Sequence, residues 1–181
     1  MDSFFRLIDG EIGDALRSVR IKSLYAYWRK LAPGGPPRRA DIDPLHIKPL
    51  LPYILIAEMS DEPMRVRYRL VGTEVVRFTG MELTGRYLDD IKMDDFNLGE
   101  LLRAYRLIRD SGQCGIGVAR FVMDGTPLLT TEYLMCPLRT DGDKIDKCIA
   151  IEDYFFSNGA HVEDLPPAQL LRPKNDPAGG R

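Results

Sequence analysis

The stretch from Met64 to Arg86, MRVRYRLVGTEVVRFTGMELTGR, constrains the fold more than any other. Arg65, Arg67 and Arg69 alternate with Val66, Tyr68 and Leu70, the period of two that marks a strand with one buried face. Gly72 breaks the pattern, and Thr73 to Phe78 reads as a short helix with Thr73 as its N-cap. Gly80 and Gly85 close two turns, where a residue without a Cβ takes positive φ freely. A half-buried strand running straight into a helix needs sheet neighbours, so the rest of the chain must supply them.

It does so on both sides. From Glu11 to Leu31, apolar residues recur at Ile12, Leu16, Val19, Leu24, Tyr27 and Leu31, with Tyr25 and Trp28 widening the stripe. This predicts an amphipathic helix, stopped by PGGPP at Pro33 to Pro37. Asp43-Pro44 resembles a cap followed by proline at the first position of a short helix that ends before Pro52. Tyr53 to Ser60 is an apolar strand, joined to the Met64 strand by the Asp61-Glu62-Pro63 turn. Asn97, with Glu100 three residues on, opens a helix whose apolar face is Leu98, Leu101, Leu102, Tyr105 and Ile108, and Gly112 ends it. Three strands follow, Cys114 to Met123, Leu128 to Leu138 and Ile145 to Phe155, joined at Asp124-Gly125 and Thr140–Asp143. Strands, middle helices, then a strand meander predict an α+β fold: a five-stranded antiparallel sheet with helices on one face. The chain divides into an N-terminal helix and linker (1–37), a domain (38–157) and a tail (158–181) rich in Pro, Gly and polar residues and expected to be loosely ordered.

RYRLVGTEVV followed by TGRYLDDI resembles the bacterial single-domain PAS proteins, through Tyr68, Arg69, Leu70, Val71, Gly72, Thr73, Gly80, Leu83, Thr84, Gly85 and Arg86. The resemblance runs more loosely from about Leu24 to Phe155. It implies a spatial strand order of 2-1-5-4-3 and a homodimer through the N-terminal helix. By residue pattern alone, that helix must cover either its own sheet or a partner's. Haem-binding members use a histidine in the helical middle, and flavin photosensors use a cysteine in a helical motif there. This chain has no histidine between His46 and His161 and no cysteine between Met64 and Gly112, so neither cofactor is expected.

Composition narrows the function classes further. With 44% hydrophobic and 29% charged residues and a net charge of −2, the chain reads as globular, without the basic surface of a general nucleic-acid binder. No apolar run reaches the roughly 20 residues of a membrane span. The acidic N-terminus does not resemble a signal peptide. Cys114, Cys136 and Cys148 are odd in number and widely spaced, which suits buried small hydrophobes in a reducing, cytoplasmic compartment, although the meander could bring Cys136 and Cys148 together. No metal site is expected: Asp89, Asp90, Asp94 and Asp95 lack the alternate spacing of a calcium loop and read as a solvated acidic loop.

No catalytic constellation is evident either, since His46 and His161 have no nucleophile and orienting partner in sequence reach. Two features remain. Arg65, Arg67 and Arg69, with Arg120 on a later strand, could grip an anion or an acidic partner, or simply form the solvent face of a sheet. Tyr68, Leu70, Val76, Tyr105 and Tyr133 would line a space between sheet and middle helices that suits a small organic ligand, or fill it as core. The expected function is a non-enzymatic sensory or regulatory module acting through a ligand, a signalling partner or both. The alternatives are a small enzyme using Glu132 and Tyr105 as acid and base, and an adaptor with a filled core.

Overall fold

The segment Thr126–Arg139 is apolar on both sides: Leu134, Cys136 and Leu138 alternate with Tyr133, Met135 and Pro137. A strand of that kind belongs in the middle of a sheet covered on both faces. The computed structural model, which describes residues 4–91, 95–123 and 126–156, puts it there. The strands are β1 (Phe4–Leu7), β2 (Ile54–Met59), β3 (Val66–Val71), β4 (Gly115–Met123), β5 (Thr126–Arg139) and β6 (Ile145–Phe156). The helices are α1 (Val19–Leu31), α2 (Thr73–Thr79) and α3 (Asp95–Ser111), with a 3₁₀ segment over Pro44–Tyr53.

One antiparallel sheet runs β1-β4-β5-β6-β2-β3. The expected five strands in the order 2-1-5-4-3 are thereby corrected to six. The strands expected from sequence stand side by side as β3-β2-β6-β5-β4, and Phe4–Leu7 pairs beyond β4, opposing Phe4 to Val118 and Leu7 to Gly115. Four residues are too few for periodicity to declare a strand. The helix expected from Glu11 likewise begins only at Val19, behind a 3₁₀ turn at Gly13–Ala15.

Helices cover both faces, not one. Ile21, Leu24, Tyr25 and Trp28 of α1 pack with Ile47 and Leu50 of the 3₁₀ segment onto Ile54, Ile56, Ile116, Leu134, Cys136, Ile149 and Ile151. The opposite face carries Leu55, Ala57, Tyr68, Met135, Cys148 and Ala150, covered by Val75 of α2 and Ala104, Tyr105 and Ile108 of α3. The apolar stripe of α1 is therefore taken up within the chain, and Trp28 Nε1 donates to the Pro137 carbonyl oxygen at 2.9 Å.

Three local details depart from the sequence reading. The N-cap of α2 is Gly72, with Thr73 inside the helix. The third helix starts at Asp95, ahead of Asn97. The register of β2 and β3 shifts between Ile56 and Ala57, so Ala57 faces Tyr68 while Ile56 faces Leu70. That bulge inserts Arg69 and turns Leu70 onto the α1 side, where it is 40% exposed at the sheet edge. The outer edge of β3 is closed by its own chain: Tyr68 donates to the Arg86 carbonyl at 2.9 Å and accepts from the Gly85 N–H at 2.7 Å. The Asp124-Gly125 turn, Asp94 and the tail from Ser157 lie outside the described residues.

Gly72 is required by close approach. A Cβ there would lie 2.2 Å from the Pro52 carbonyl oxygen and 2.7 Å from that of Leu51, main-chain atoms that cannot swing aside. Gly72→Ala should lower stability by about 2–3 kcal/mol. A urea midpoint equal to that of the unsubstituted protein would show that the contact yields.

Candidate functional site

Polar groups interrupt the core on each face of the β5–β6 pair. On the α2/α3 side the register opposes Tyr133 to Glu152 and Thr131 to Tyr154, a two-by-two patch of side chains. Tyr68 of β3 and Tyr105 of α3 are buried in the core cluster on this same side. Tyr154 Oη donates to Glu152 Oε2 at 2.5 Å, and Phe78 of α2 stacks on the Tyr154 ring with centroids 4.1 Å apart. Thr131 is 5% exposed, and its Oγ1 has no hydrogen-bond partner. The Tyr133 ring lies flat over Gly117 of β4, where a Cβ would come within 2.1 Å of it. Glycine there is what lets the ring reach across the sheet.

Burial sets the electrostatics of this cluster. It pushes the Glu152 carboxyl above its ordinary pKa, against the lowering effect of the Tyr154 hydrogen bond. Burial also raises the phenols of Tyr68, Tyr105, Tyr133 and Tyr154, and the charge of Glu152 raises all four further, Tyr133 to about 12. At neutral pH the four tyrosines are therefore uncharged hydroxyls, each able to donate and accept. One carboxyl among neutral hydroxyls in an apolar surround is the chemistry of a small-molecule site.

On the opposite face the register sets Glu132 directly against Asp153, 3% and 1% exposed. Glu132 Oε2 accepts from the Arg17 and Ser18 main-chain N–H groups, each at 2.9 Å, and its Oε1 accepts from Arg17 Nε at 3.2 Å. Asp153 accepts from Ser18 Oγ at 2.6 Å and from Arg20 Nη1 at 3.1 Å. Ser18 is also the N-cap of α1, its Oγ accepting from the Ile21 N–H at 3.0 Å. Both carboxylates are thus used to seat the start of α1.

These placements separate residues that the sequence reading grouped. Tyr68, Tyr105 and Tyr133 do share the α2/α3 face, but Leu70 is turned to the other. Val75 packs into the core in place of Val76, which is half-buried. Glu132 and Tyr105 lie on opposite faces of the sheet and cannot act as one acid–base pair. The arginines disperse. Arg65 makes hydrogen bonds to Asp89 at 2.8 Å and Asp90 at 3.2 Å and stacks over Tyr87, Arg67 donates to the Gly85 carbonyl, and Arg69 pairs with Glu58. Asp89, held below the usual carboxylate range by Arg65, is therefore a counter-charge and not part of a merely solvated loop. Arg120 belongs to β4, four strands away from β3; its side chain lies outside the description.

Cys136 and Cys148 point to opposite faces, and among the described residues no three potential ligands gather to hold a metal ion. His46 is exposed 3.7 Å from Asp43 at the start of the 3₁₀ segment, and His161 lies outside the described residues. Sequence reasoning missed Glu152, Tyr154 and Thr131. The signal was present: an acidic residue on the Cys148–Ala150–Glu152–Tyr154 side of an otherwise apolar strand.

Two outcomes follow from these geometries. Glu132→Ala removes the acceptor of two main-chain N–H groups and should destabilise the fold by about 2–4 kcal/mol in urea unfolding. The raised Glu152 pKa favours the folded state below the unfolded carboxyl's pKa, and that contribution is lost as pH rises through the folded value. Glu152→Gln should therefore be more stable than the parent at pH 7, by on the order of 1 kcal/mol, and the gap should close near pH 4. A gap independent of pH would remove the burial argument.

A PAS domain family model matches residues 16–151. No curated protein matches the chain. Among solved structures, an RNA-binding light-oxygen-voltage receptor aligns with a TM-score of 0.43 at 13% identity, over 83% of this chain and 37% of that one. The family match spans α1, both middle helices and β6 as far as Ile151, and on it the chain belongs to the PAS domain family.

Proposed function

We propose that this PAS domain is a sensory module that holds a small, polar, uncharged organic molecule among Glu152, Thr131 and the surrounding tyrosines. The observation that carries the reading is the buried Thr131 hydroxyl without a partner, beside a carboxyl that burial keeps protonated to higher pH than usual. Buried polar groups are normally satisfied, and a ligand offering one acceptor and one donor would satisfy these. Occupancy would be passed on by protein contact, the outer surface of α1 with its exposed Val19 being the surface offered to a second copy or a signalling partner. The role is binding and regulation in the cytoplasm, not catalysis. No described helix is long and apolar enough to cross a membrane.

Native mass spectrometry of freshly purified protein, set against its denatured mass, tests this directly. A stoichiometric extra mass that is lost in Thr131→Val and Glu152→Ala, while both variants remain folded by circular dichroism, is the expected result. A protein that is clean in its native mass, and whose melting temperature no polar metabolite mixture raises, would favour an adaptor with a filled core.

A further inference from the structure

Cys114, Cys136 and Cys148 are all buried and unpaired. Cys148 faces α2 and α3, whereas Cys114 and Cys136 both belong to the core beneath α1. The β4–β5 ladder opposes Gly115 to Met135, and the same register carried one residue ahead of β4 brings Cys114 opposite Cys136. The Cys114 carbonyl accepts from the Ile8 N–H at 2.8 Å, on the β1 side. In an antiparallel strand the N–H and C=O of one residue point the same way, so the Cys114 main chain turns away from β5. Cys114 and Cys136 therefore occupy a non-hydrogen-bonded cross-strand position, where Cα atoms approach to about 4.5 Å and side chains come closest. A disulfide spans Cα separations of about 4.4–6.8 Å, a range that includes the spacing usual for such a position. Both thiols are buried, Cys114 2% and Cys136 0% exposed. Tyr25 of α1 packs in the same cluster.

We propose that Cys114 and Cys136 are a redox pair that closes into an intramolecular cross-strand disulfide when the protein meets a hydroperoxide. Burial holds the Cys136 thiol well above its ordinary pKa, so a sulfur gives up its proton only when α1 loosens, and as a thiolate it then attacks the terminal peroxide oxygen. An S–O bond forms, the O–O bond breaks, and the departing oxygen leaves as water or alcohol after taking a proton. The second sulfur then attacks the sulfenic sulfur and displaces hydroxide, which leaves as water. Two thiols lose two electrons, and the hydroperoxide gains them. The product ties the entry of β4, just beyond the end of α3 at Ser111, to the centre of the sheet. Since α1 covers both sulfurs, its seat on Glu132 and Asp153 controls access: loosening the seat speeds the reaction without changing its product. The inference is independent of ligand binding on the other face.

The experiment treats the folded protein with hydrogen peroxide, quenches it, denatures it in an alkylating reagent and maps the peptides. Alkylatable thiols should fall from three to one, the remaining one being Cys148, with a Cys114–Cys136 linked peptide that dithiothreitol removes. Cys148→Ser should form the same link, and Cys114→Ser should retain both of its remaining thiols. Ser18→Ala should form the link several-fold faster. Three alkylated thiols after treatment, a link through Cys148, or a link between chains would each overturn the proposal. An unchanged rate in Ser18→Ala would overturn the gating role given to α1.

Discussion

The seating of α1 on two opposed carboxylates is the interaction on which one half of the molecule depends. Glu132 and Asp153 stand directly across from each other on neighbouring strands, a placement that like charges alone would make unfavourable. They are compatible because the approach to α1 brings Arg17, Arg20, the Ser18 hydroxyl and two main-chain N–H groups onto them. The unsatisfied donors at a helix start need acceptors, and buried acceptors need donors. Neither element is satisfactory alone, so the helix is fixed in position as well as in existence. The apolar contacts of Ile21, Leu24 and Trp28 then add energy to an arrangement whose register polar groups have already chosen.

The same two strands solve a different problem on their other side, one residue along. Tyr133 follows Glu132 and Glu152 precedes Asp153, so successive residues deliver ionic chemistry to one face and neutral hydroxyl chemistry to the other. Glu132 and Asp153 have cations and main-chain N–H groups within hydrogen-bond reach. Beside Glu152 the described partner is the Tyr154 hydroxyl, and desolvation favours the proton instead. The contrast arises from what surrounds each carboxyl and not from the carboxyls themselves. It distinguishes an anchoring site from one with spare hydrogen-bonding capacity.

Much of the fold was legible because long segments obey a single period. The meander of β4, β5 and β6, the α3 stripe and the Tyr68 alternation all rest on patterns of six or more residues. The failures lie where the pattern is short or is offset by one. Phe4–Leu7 is too brief to betray a strand, and the inserted Arg69 reverses the facing of Leu70. Tyr68, Tyr105 and Tyr133 were visible as apolar-face residues, whereas Tyr154 was not singled out. Glu152 was not, because adjacent Glu152 and Asp153 look like a solvated pair until the register sends them to opposite faces. Arg67 and Arg69 belong to β3 and Arg65 stands just ahead of it, but the partners Asp89, Glu58 and the Gly85 carbonyl are contacts that only tertiary structure could name.

The pairing of Tyr68 with Gly85 and Arg86 has a consequence for how the sheet meets other chains. An edge strand with free N–H and C=O groups is a template for further strands, and proteins commonly blunt it. Here the segment carrying Arg86 occupies that template, and the Arg65 bonds to Asp89 and Asp90 fasten the continuation of the same segment. Growth of the sheet past β3 would first require peeling this strap away. At the opposite edge the described part of β1 offers four residues, with Phe4 46% exposed, and stops short of the Ala119–Met123 part of β4. Among the described residues the strap therefore makes the β3 edge the harder one for an extended peptide to join.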